Sequence, residues 1–115
     1  MTLTEALDSL IRKYREVPFS SWEALYPGVG QLSDTAPGNP SDDDWWQAQT
    51  DVLEISSAQD GPRYARVLIV VYPQGIHALA PPPSATLDFY EDGRVVGTFA
   101  NGDPFELLQL RSGAV

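Results

Sequence analysis

Apolar positions recur at helical spacing at the start of the chain and alternate with polar ones from about residue 45 onward. The change of period separates a helical part from a sheet-forming part. Leu3, Leu7, Leu10, Ile11 and Tyr14 fall on one stripe and predict a helix over residues 3–16. Thr2 or Thr4 can cap its start, and Arg12, Lys13 and Arg15 complement the negative end of its dipole. Pro18 interrupts the pattern. Ser20 followed by Glu23 has capping-box spacing, which predicts a short helix over residues 22–26, closed by Pro27 and Gly28.

Residues 27–43 hold three Pro and three Gly and read as one long loop. Then Trp46, Ala48, Thr50 and Val52 alternate with Gln47, Gln49 and Asp51, predicting a strand over residues 45–56. After a turn at residues 59–62, a second strand is expected over residues 63–72. It is apolar on both faces at residues 67–71, so it should lie centrally, with cover on both sides. Residues 85–90 and 94–100 flank Glu91-Asp92-Gly93, a strong hairpin signal. Asp103 as cap, Pro104 in the first helical position and Glu106 three residues after the cap predict a short C-terminal helix, followed by a polar tail at 111–115.

The expected fold class is α+β. An N-terminal helix and a short second helix precede a four-stranded, mainly antiparallel sheet and a short C-terminal helix. No internal repeat or linker divides residues 1–115, which read as a single acidic domain.

A hydrophobic share of 43%, with three Trp, five Tyr and four Phe, is enough for one core. The chain has no Cys, which excludes a disulfide, a cysteine nucleophile and a thiolate metal site. No stretch reaches the roughly 18 apolar residues of a membrane span. The first residues lack the basic start and apolar middle of a secretory signal, so a cytoplasmic location is expected. Net charge is −9, from 16 acidic and 7 basic residues. That balance argues against nucleic acid and anionic membranes as partners and favours a basic protein.

Familiar chemistry is absent. His77, the only histidine, lies between Ile76 and Ala78 and reads as a structural residue. There is no G-x-S-x-G elbow, and no S-x-x-K, since Lys13 is the sole lysine. Gly28-Val29-Gly30 begins like a dinucleotide loop, but position 33 is Ser33 and no strand precedes it. Asp42, Asp43 and Asp44 lack the alternating spacing of an EF-hand. They suit the start of a turn capped by Ser41. Neither a catalytic residue, a metal nor a cofactor is therefore expected.

The feature that does stand out is charge segregation. Residues 24–62 contain Asp34, Asp42, Asp43, Asp44, Asp51, Glu54 and Asp60 and no Lys or Arg. Trp45 and Trp46 follow the Asp run directly. Adjacent strand residues point to opposite faces, so one Trp can enter the core while the other remains available as an anchor. Asp42, Asp43, Asp44, Trp45, Trp46, Asp51 and Glu54 are the candidate partner-binding residues. An immunity-type inhibitor of a basic toxin has this size and charge, as does a secretion chaperone or a nucleic-acid mimic. Two other expectations are open. Tyr64, Tyr72, His77 and Tyr90 could line a small-molecule or enzyme pocket on the open sheet face. Alternatively, a homodimer could cover the doubly apolar strand.

Overall fold

The computed structural model describes residues 3–26, 31–39, 41, 45–56, 61–73, 82–99 and 104–106. Two helices, α1 (Leu3–Tyr14) and α2 (Phe19–Leu25), precede β1 (Gln31–Thr35), β2 (Trp46–Ile55), β3 (Tyr64–Pro73), β4 (Ser84–Tyr90), β5 (Val95–Phe99) and β6 (Pro104–Glu106). The strands form one antiparallel meander in the order β1-β2-β3-β4-β5-β6. The class is α+β. Five strands have five residues or more and the sixth has three.

The helix stripe is used as its spacing implies: Ala6, Leu7, Leu10, Ile11 and Tyr14 of α1 are buried. In α2 the first turn differs from expectation. The helix starts at Phe19, with Pro18 as an extended N-cap that makes no side-chain capping bond. The Pro18 carbonyl accepts from the N–H groups of Ser21 (3.0 Å) and Trp22 (3.4 Å). The Ser20–Glu23 box does not form. Glu23 instead reaches Arg63, Oε2 to Nη1 2.7 Å, trading a local cap for a tertiary ion pair.

Both helices pack on one face of the sheet. Ala65, Val67, Ile69 and Val71 of β3 are each 0% exposed and share one core with Trp46, Ala48, Ala85, Leu87, Phe89 and the helix stripe. Trp22 sits at its centre, with ring centroids 5.8 Å from Tyr14 and 5.0 Å from Phe89. The hairpin turn is the one expected at Asp92-Gly93. Gly93 takes φ +97°, a left-handed conformation costly for a residue with a Cβ, and Asp92 accepts from the Arg94 N–H (3.0 Å).

Three expectations are corrected. The long loop contains β1. Its alternation is hard to see because Asp34 occupies an inward-facing position where an apolar residue would normally stand. Among the described residues there is no C-terminal helix, since Pro104–Glu106 is a strand pairing with Val96–Thr98 of β5. A single-turn helix has little stability of its own, so ladder pairing overrides the local cap signal. Asp103 and the residues after Glu106 lie outside the described residues. Finally, β3 is central but, among the described residues, covered on one face only. Leu68 and Val70 are half-buried, with no described element above them.

Because Trp22 is fully buried between two other rings, Trp22→Ala should cost about 3–5 kcal/mol of stability. The exposed Tyr26→Ala should stay within about 0.5 kcal/mol of the parent chain. Urea midpoints of the two variants check this directly, and equal shifts would show that the core is centred elsewhere.

Candidate functional site

Strand register arranges the uncovered face in rows. Gln49 stands opposite Ser33 and Val70, and Val70 opposite Ser84. In the next row Asp51, Leu68, Thr86 and Thr98 face one another in turn. The row after that is Glu54, Arg66, Asp88 and Val96. Glu54 reaches this face only because the β2–β3 register shifts between Val52 and Glu54. Simple alternation from Trp46 would send Glu54 toward the helices. The extra residue, Leu53, is left 47% exposed and turns Glu54 outward.

Arg66 is the electrostatic centre of the face. Its Nε and Nη2 donate to the two Asp88 oxygens at 2.9 and 3.1 Å, and Nη1 donates to Glu54 at 2.9 Å. The fork geometry suits two carboxylates. The Asp88 hydrogen bonds foremost, with the charges of Asp88 and Glu54 adding to them, hold this guanidinium above its ordinary pKa. Arg66 also lies 5.2 Å from the Tyr64 ring, and Tyr64 packs 5.5 Å from Tyr90.

The remaining described cations are similarly engaged. Arg12 pairs with Asp8, Arg15 with Glu16, Arg63 with Glu23 and Glu91, and Lys13 with Asp34. Arg94 lies 4.2 Å over the Tyr90 ring. Asp51 has no cation within ion-pair distance among the described residues. Its recorded partner is the Gln49 amide, at 3.4 Å.

A cavity of about 350 Å³ opens at the β1 end of the face, bounded by Ser33, Thr35, Gln47, Gln49 and Tyr72. Tyr72 lies eight residues from Tyr64 along β3, about 26 Å at strand rise. The tyrosines expected to line one pocket therefore stand at opposite ends of the sheet, and His77 is outside the described residues.

No family model, characterised protein or solved structure matches the chain. Its chemistry is thus read from geometry alone. Among the described residues no three His, Cys, Asp or Glu side chains converge as a metal site, and no helix is long and apolar enough to cross a membrane.

The structure separates the candidate partner-binding residues. Asp51 and Glu54 share the uncovered face in adjacent rows. Trp46 is the tryptophan that enters the core, at 6% exposure. Trp45 is half-buried against the core, just before β2. Asp42, Asp43 and Asp44 lie outside the described residues. Asp34 points to the helix side, where Lys13 and the Tyr14 hydroxyl both donate to it. Arg66 and Asp88 were not singled out by sequence, because their pairing depends on cross-strand register.

Burial, then the hydrogen bond and charge of Asp34, push the Tyr14 phenol above its ordinary pKa of 10.0. The folded state therefore holds this proton more tightly than the unfolded chain. Its contribution is full below pH 10 and is lost progressively as pH rises above it. Tyr14→Phe should flatten that alkaline decline while costing about 1 kcal/mol at neutral pH. Urea unfolding near pH 8 and pH 11 compares the two chains, and an equally steep decline in both would remove Tyr14 as its source.

Proposed function

We propose that this chain is a small acidic protein-binding module that takes a basic partner on the uncovered face of its sheet. Neutralisation of that partner, in the manner of an immunity-type inhibitor, is the role that fits best. The observation carrying this reading is that both helices are spent on one face. On the opposite face Asp51 has no cation partner among the described residues, beside a three-residue group in which Glu54 and Asp88 outnumber Arg66.

Half-buried Leu68, Val70 and Val96 among these carboxylates provide apolar contact area, and the acidic rim steers a cationic surface toward it. Nearly every described cation is already held by a carboxylate, so the net charge of −9 is expressed as surplus carboxylates rather than alternating patches. Trp45, half-buried, supplies an aromatic that directly follows Asp42, Asp43 and Asp44 in the sequence. Trp46 serves the core.

Charge reversal tests the reading. A basic protein retained from lysate of the source cells at low salt should elute at high salt. The purified partner should then bind Asp42→Lys/Asp43→Lys/Asp51→Lys at least about tenfold more weakly, with a shallower salt dependence. Asp8→Lys/Glu16→Lys/Asp92→Lys makes the same change in net charge on other surfaces and should alter affinity by less than about threefold. Equal losses in both triple variants would reduce the acidic segment to a general solubility feature.

A further inference from the structure

We propose that the outer edge of β1 receives an extended, lysine- or arginine-bearing segment of the partner, which adds a seventh strand to the sheet. This rests on the basic-partner reading above and specifies how the partner is held.

The phase of β1 is fixed by one bond. The Ala36 N–H donates to the Trp46 carbonyl at 2.9 Å, so Asp34 and Leu32, on the same phase, turn their backbone groups toward β2. Gln31, Ser33 and Thr35 then turn their N–H and C=O groups away from the sheet. No described strand pairs with them. This is the pattern of donors and acceptors that an added antiparallel or parallel strand uses.

Edges of this kind are usually guarded, and the one charge on this edge, Asp34, is held from the helix side by Lys13 and Tyr14 rather than left to repel an incoming strand. Gln31–Thr35 contains no Lys and no Pro, and its register with β2 runs without a bulge over five pairs. The opposite edge, β6, is only three residues long and begins with Pro104, which has no N–H to offer. The two edges of one sheet are thus treated differently. The open one is also held firm, since Lys13 and Tyr14 of α1 both bind Asp34 in the middle of β1. A template already in place avoids the ordering cost of forming one on binding.

Charge chooses the occupant. Asp51 stands beside Gln31 on the uncovered face, one strand in from the edge, and Asp34 carries a carboxylate on the other side of β1. A second copy pairing β1 with β1 would bring these carboxylates toward their counterparts, on a chain already at −9. A basic strand meets them with opposite charge instead. The 350 Å³ cavity beside Ser33 and Thr35 gives a long cationic side chain a place to lie, with its head toward Tyr72, which is 39% exposed.

The probe is a capped eight-residue peptide alternating Lys and Thr, added to the isotope-labelled full chain and followed by amide NMR and hydrogen exchange. Exchange should slow at Ser33 and Thr35, whose N–H groups face outward. It should change little at Leu32 and Asp34, whose N–H groups already bond β2. The Glu–Thr counterpart should not bind. Ser33→Pro removes an outward donor without touching the β1–β2 ladder and should weaken the Lys–Thr peptide about fivefold or more. If that variant does not fold, the exchange pattern of the unaltered chain decides.

Failure to bind the Lys–Thr peptide overturns strand addition. So does binding whose shifts fall on Leu68, Val70 and Thr86 with no protection at Ser33 and Thr35, although that result leaves the basic-partner reading standing. A dimer that dissociates on Ser33→Pro overturns the proposal by naming a second copy as the occupant. The basic-partner reading fails separately, through the charge-reversal comparison on the captured partner.

Discussion

Two helices of twelve and seven residues, about 18 and 10 Å long, cannot cover both faces of a six-stranded sheet, and the structure is organised around that shortage. Both go to the same side, where Trp22, Phe89, Ile69 and Leu87 make a core with almost no access to water. The opposite side must therefore satisfy itself in the plane of the sheet. It does so with alternating amides and hydroxyls, half-buried aliphatics and one arginine shared by carboxylates from the strands on either side of it.

That arginine shows how a sheet face without a cover is stabilised. Arg66 is 39% exposed, so its ion pairs are screened and each contributes modestly. Their value lies in direction: β2, β3 and β4 each supply one member, so the cluster ties three strands in register. The same economy runs through the rest of the molecule, where basic side chains are drawn into local pairs and the surplus acid is left facing solvent. Surplus carboxylates and a strand edge that no described strand pairs with consequently lie close together at the β1 side of the sheet.

Much of this was legible in the sequence and some of it was not, for identifiable reasons. The α1 stripe, the central position of β3 and the Asp92-Gly93 hairpin all announce themselves through period and turn chemistry. β1 does not, because its inward position is filled by Asp34, whose carboxylate is acceptable there only when Lys13 and Tyr14 arrive from a helix 20 residues away. β6 was obscured by the opposite fault: Asp103, Pro104 and Glu106 form a good local helix start, but β5 offers a ladder that local signals do not reveal. Among site residues, Asp51 could be placed by simple alternation. Glu54, Arg66 and Asp88 could not, since the first depends on a bulge and the others on cross-strand register.

The bulge at Leu53 makes the wiring of this face a matter of parity. Leu53 is the surplus residue, and the bulge absorbs it so that Glu54 stays opposite Arg66 and Ile55 opposite Ala65. Removing Leu53 would make Val52, Glu54 and Ile55 consecutive and strictly alternating against Val67, Arg66 and Ala65, so Glu54 would still point outward and Ile55 toward the core. Forcing Leu53 into a regular ladder would instead send the Glu54 carboxylate toward the apolar side and turn Ile55 outward. In a lineage of related chains, a one-residue deletion at this corner would therefore survive as loss of the bulge, with the wiring of the face unchanged.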